Sequence, residues 1–87
     1  MKFGDFLMEL RQKAEKSRYR LAQYSGLDQT YIQRLETGHR SSPSRDVVLM
    51  IALALVENSE IVSVHDVDEL LLSAGYAPLR RRGERAA

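Results

Sequence analysis

Residues 21–38, LAQYSGLDQTYIQRLETG, constrain the fold more than any other stretch of this chain. Gly26 stands between two short runs of helical periodicity and can take the left-handed conformation that ends the first of them. Ala22 is small enough to let a second helix cross close to its backbone, while Leu27, Ile32 and Leu35 turn apolar groups back toward a core. Asp28 is placed to cap the second helix. The outer flank of that helix then carries Gln29, Thr30, Gln33, Arg34 and Thr37, whose spacing gathers them on one surface. The segment is thus expected to form two short helices joined by a tight glycine turn, apolar on one side and rich in hydrogen-bonding groups on the other.

The rest of the chain reads as three more helices and no strand. Phe3, Phe6, Leu7, Leu10 and Ala14 recur at helical spacing and predict a first helix from about Gly4 to Glu15, with Asp5 favourable in its first turn. Ser17 is the cap candidate for the second helix, which ends near Ser25. The third follows Asp28 and stops at Gly38. HRSSPS is a polar loop, after which Ser44 can cap a fourth helix from Arg45 to about Glu57. Its VVLMIALALV is apolar almost all round, which predicts a helix largely buried by its neighbours. Ser63 and Asp66 approximate a capping box for a fifth helix, which carries Val67, Leu70, Leu71 and Ala74 and ends at Gly75 before Pro78. The expected organisation is one domain over residues 1–79 and a basic, disordered tail over 80–87.

Composition narrows the function. At 87 residues with 44% hydrophobic content, the chain can build a single helical core of modest stability. No segment has the apolar length to span a bilayer, and MKFGDFLMEL mixes charges with apolar residues rather than forming a signal peptide. A cytoplasmic protein is therefore expected, with no membrane partner. Zero cysteines exclude disulfides and thiolate metal sites, and two isolated histidines, His39 and His65, make no zinc cage, so neither metal nor cofactor is expected. The net charge of +1 hides a division along the chain. Residues 1–45 hold nine Lys or Arg against five acids, residues 46–79 none against six, and residues 80–87 four against one. A basic part followed by an acidic one suits a molecule with one face drawn to phosphate and another turned away from it.

The order Ala22, Gly26, Ile32, Glu36, Gly38 closely resembles the Cro/repressor class of helix-turn-helix regulators, the xenobiotic-response-element type, and the resemblance extends over roughly residues 4–72. It implies a compact, all-α, five-helix bundle of the phage-repressor type, with the helix-turn-helix made by the second and third helices. It also implies a sequence-specific DNA-binding transcriptional regulator, a repressor, located on the nucleoid. Base readout in the major groove then falls to Gln29, Thr30, Gln33 and Arg34, with Gln33 nearest the backbone. Gln pairs with adenine, Arg with guanine, and the Thr methyl meets thymine. Phosphate contacts fall to Arg18, Tyr31, His39, Arg40, Ser42 and Ser44, with Lys16 and Arg20 adding charge. The resemblance further implies that Arg11 and Glu36 form a partly buried ion pair that sets an inter-helix angle. The chain departs from the family where Arg18 replaces the usual Gln, and where Lys16 and Ser25 stand at apolar positions. The last two changes predict a thinner core.

Two other readings compete. An enzyme would need partners that the sequence lacks, having no glycine-rich phosphate loop, no Cys nucleophile and no His pair at metal spacing. A helical module that mainly binds another protein, such as an antitoxin or a coactivator, is better supported, because VDELLLSAGYAPL carries Leu72, Tyr76 and Leu79 beyond what a small core needs. Those three residues form a surface for such a partner, close the base of the core or make a homodimer contact. For a regulator reading a palindromic operator in double-stranded DNA, the homodimer is the expectation.

Overall fold

A computed structural model describes residues 2–57, 59–60 and 62–80. The described residues form five helices and no strand: α1 (Phe3–Lys13), α2 (Arg18–Ser25), α3 (Gln29–Thr37), α4 (Arg45–Val56) and α5 (Val64–Ser73). Their boundaries follow local chemistry. Ser17 Oγ accepts from Arg20 N at 3.1 Å, Asp28 Oδ1 from Thr30 N at 2.7 Å, and Ser44 Oγ from Val47 N at 3.2 Å. Ser63 and Asp66 close a reciprocal capping box. Gly26 and Gly38 end α2 and α3 with φ of 77° and 87°, a conformation that disfavours any residue with a Cβ.

The core is one apolar cluster. Leu7 and Leu10 of α1, Leu21 of α2, Ile32 and Leu35 of α3, Val48, Ile51 and Leu55 of α4, and Leu70 and Leu71 of α5 are all buried. Helix α1 packs on α3 and α5, α2 packs on α3 and α4, and α4 packs on α5. Each such side chain contributes about 1.5–3 kcal/mol relative to exposure. The amphipathic periods thus converge on a single interior, to which α2 and α3 both contribute while packing on each other.

Several local expectations change. Helix α1 stops at Lys13 rather than Glu15, because Glu15 turns left-handed at φ 55° while Lys16 N bonds back to Arg11 O at 3.1 Å. The turn redirects Lys16, whose Nζ donates to Leu55 O at 3.2 Å and Glu57 O at 2.6 Å. Lys16 therefore neither thins the core nor stands ready for phosphate: it satisfies the carbonyl end of α4, where a cation is also favoured by the helix dipole. Ser25 is buried, and its Oγ accepts from Leu27 N at 3.2 Å, so the hydroxyl serves the turn that an aliphatic side chain could only pack against. Helix α4 is not buried all round. It packs mainly on α2 and α5, and Leu53 remains 69% exposed with Met50 beside it on the open side.

The N-terminus of α1 is seated against the last turn of α3. A Cβ built on Gly4 would collide with the Leu35 carbonyl oxygen and lie 2.8 Å from that of Glu36. Glycine is the residue that permits this approach. At the other end, buried Asp68 accepts from Leu79 N at 2.8 Å and from Arg80 Nε at 3.1 Å. Arg80, expected to open the tail, is thus tied to α5. Residues 81–87 of that tail lie outside the described residues.

Candidate nucleic-acid interface

Helix α3 has two chemically distinct sides. Ile32, Leu35 and Glu36 are buried, whereas Gln29, Thr30, Gln33, Arg34 and Thr37 are exposed. The side chains of Gln29, Thr30, Gln33 and Arg34 make no hydrogen bond to any described residue, so their donors and acceptors stand open on one surface. These are the side-chain types that pair with base edges, presented by a helix narrow enough to enter a major groove.

The loop after α3 continues this surface. Arg40 N donates to Arg34 O at 3.0 Å, folding the chain back over the end of the helix, and the Arg40 guanidinium lies 5.8 Å from the Tyr31 ring centroid. That distance suits a cation–π contact and orients both side chains. His39 is less open than expected, since its Nδ1 lies 3.0 Å from Thr37 Oγ1. Ser42 is exposed in a left-handed conformation at φ 56°, and Ser44 uses its oxygen to cap α4. Accepting that bond leaves the Ser44 hydroxyl proton free to donate.

Behind the surface lies a cluster of three charges from three helices. Glu36, its side chain only 1% exposed, accepts from Arg11 Nε at 2.7 Å on Oε2 and from Arg11 Nη2 at 3.2 Å on Oε1. This is the ion pair that the family resemblance implied. Arg18, expected at phosphate, also reaches the carboxylate, its Nε donating to Oε1 at 2.9 Å. The contact joins residues 18 apart in sequence across a helix crossing, so no periodic pattern announces it. Glu36 is therefore shared by α1 and α2, and the buried charge is fully compensated.

The residues expected at a dimer contact separate. Leu72 and Leu79 are exposed by 51% and 52%. Phe6, Glu69, Leu72 and Ser73 border a shallow hollow between α1 and α5. Tyr76 instead packs against the core, and its hydroxyl donates to Pro43 O at 2.7 Å. Tyr76 thus helps to close the base of the fold. The sequence reading also missed Gly4, because only the position of α3 makes a Cβ there intolerable.

Among the described residues no three His, Cys, Asp or Glu side chains are grouped to hold a metal ion, and no helix is long and apolar enough to cross a membrane. A family model described as helix-turn-helix matches residues 7–55, more than half of the chain. Comparisons with curated proteins and with solved structures found no match.

Proposed function

This chain belongs to the helix-turn-helix family, as a DNA-binding domain of the Cro/repressor type whose kind of function is transcriptional regulation, and from that premise we propose that it is a repressor reading the major groove with α3. The observation that carries the reading is the division of α3 between a buried side and an unpartnered polar side of Gln29, Thr30, Gln33 and Arg34. Gln29 and Arg34 have the geometry for bidentate pairing with adenine and guanine, and the Thr30 methyl suits thymine. Arg18, Tyr31, His39, Arg40, Ser42 and Ser44 flank that surface and hold the phosphates, which fixes register without reading sequence.

One recognition helix covers too few base pairs to select a site in a genome, so the protein acts as a two-fold dimer on a palindromic operator. The two copies of α3 then lie about 34 Å apart, in successive turns of the major groove. The exposed Leu72 and Leu79 supply the contact between copies. Repression follows from occupancy of an operator that overlaps a promoter, a mechanism that asks no chemistry of the protein.

Selection of bound duplexes from a random pool tests the reading. A palindromic consensus is expected, and Arg34→Ala should relax one position in each half-site at a loss of about 1–3 kcal/mol. Retardation of DNA only in the presence of another protein would favour the partner-binding module, and equal losses for specific and random DNA would remove Arg34 from base readout.

A further inference from the structure

We propose that Glu36 is a positioning residue for DNA binding, acting through Arg18, which it orients so that one guanidinium bridges a buried carboxylate and a backbone phosphate. The proposal deepens the DNA-binding reading above and rests on it. The two arginines on Glu36 are not equivalent. Arg11 is committed: Nε and Nη2 go to the carboxylate, Nη1 donates to Lys16 O at 2.9 Å, and its side chain is 12% exposed. Arg18 spends only Nε on Glu36, its side chain is 34% exposed, and its two Nη groups make no hydrogen bond to any described residue. Arg11 and Lys16 therefore serve the fold, and Arg18 keeps a free two-nitrogen edge.

Geometry and charge give that edge a use. A guanidinium is a rigid planar fork with five N–H donors, so fixing Nε fixes the direction of both Nη groups. Arg18 is the first residue of α2, which packs directly on α3, the helix proposed to read DNA. One carboxylate facing two arginines leaves the cluster with a net positive charge at its exposed member. A phosphate oxygen pair matches the free edge bidentately. The orientation is provided before binding, so less rotamer freedom is lost on contact. Lysine has one nitrogen on a flexible stem and cannot bond Glu36 and a phosphate in this way.

The discriminating experiment measures affinity of the full chain for a duplex of fixed arbitrary sequence over a range of salt, with the melting temperature of each variant. Arg18→Lys keeps the charge, so it should retain the parent salt slope yet bind about tenfold more weakly at every salt concentration, approaching Arg18→Ala only at high salt. Arg18→Ala should in addition lose about one unit of slope. Both should melt near the parent temperature, since Arg11 still compensates Glu36. Glu36→Gln should weaken the parent several-fold and leave Arg18→Ala no weaker. A lysine variant within about twofold of the parent overturns the proposal, as does an effect of Glu36→Gln that is equal in both backgrounds. Should Glu36→Gln fail to fold, the lysine variant decides alone. A parent that retards no duplex overturns the DNA-binding reading and this inference with it; a parent that binds, with an unaffected lysine variant, overturns the inference only.

Discussion

The Tyr76 hydroxyl donates to the Pro43 carbonyl at 2.7 Å, tying the segment after α5 to the loop between α3 and α4 across 33 residues of sequence. That loop contains Arg40, Ser42 and Ser44, the residues proposed to grip phosphate, and its backbone is left-handed at Ser42. A single hydroxyl therefore links the closure of the core to the shape of the loop proposed to face DNA. Tyr76→Phe keeps the ring and removes only this bond. The expected loss is about 1 kcal/mol, or a fall of about 4–8 °C in melting temperature for a domain of this size. Thermal unfolding checks it, and an unchanged melting point would mean that water replaces the hydroxyl without penalty.

Gly4→Ala offers a prediction of sign. On intrinsic helix propensity the change should stabilise by about 0.5–1 kcal/mol. Contact with the Leu35 and Glu36 carbonyls should instead force α1 away from α3, at a loss of about 1–3 kcal/mol. Urea unfolding distinguishes the two, and a more stable alanine variant would contradict the close approach of these helices.

Glu36→Ala should strand Arg11 and Arg18, which pair with no other carboxylate among the described residues. The expected destabilisation is on the order of 3 kcal/mol, dominated by Arg11 because Arg18 can turn to water. Denaturant midpoints measure it. A loss under about 1 kcal/mol would show that the cluster is solvated in solution.

Acid should loosen α5. Burial pushes the Asp66 carboxyl up, but the Ser63 backbone N–H, Lys13 and the Ser63 hydroxyl together hold it below its ordinary value of 3.8. Burial likewise raises Asp68, and the Leu79 backbone N–H and Arg80 more than offset it. A carboxyl depressed in the folded state adds stability that is present above pH 3.8 and disappears as pH falls through the folded value. Asp66→Asn should therefore lower stability at neutral pH and flatten its decline below pH 4, by a modest amount because Lys13 is largely solvated. Parallel pH–stability curves for parent and variant would exclude the Asp66 contribution.

Leu72→Glu tests the proposed dimer without touching the core. The side chain is half exposed, so the melting temperature should hold, while affinity for a palindromic operator should fall at least tenfold and affinity for random duplex should not. Footprints of the parent that protect one half-site at saturation would rule out the two-fold arrangement.

What the sequence determined by itself is the set of elements and the polar side of the helix proposed to read DNA. Ser17, Asp28, Ser44 and the Ser63–Asp66 pair are local signals, because a cap is made within three residues of its partner, and Gly26 and Gly38 mark turns by a conformation that side chains resist. The two sides of α3 were legible for the same reason, since a period of 3.6 needs no knowledge of the neighbours. Tertiary structure alone decided the rest. Lys16 caps a helix that begins 29 residues later, Arg18 shares Glu36 with Arg11, Gly4 yields room to α3, Tyr76 turns inward to Pro43, and Leu53 is left in water on an apolar helix. Each outcome depends on how the helices cross, and crossing brings together residues whose separation in the chain carries no period. A long polar side chain goes to whichever uncompensated group lies within its reach, and only packing determines which group that is.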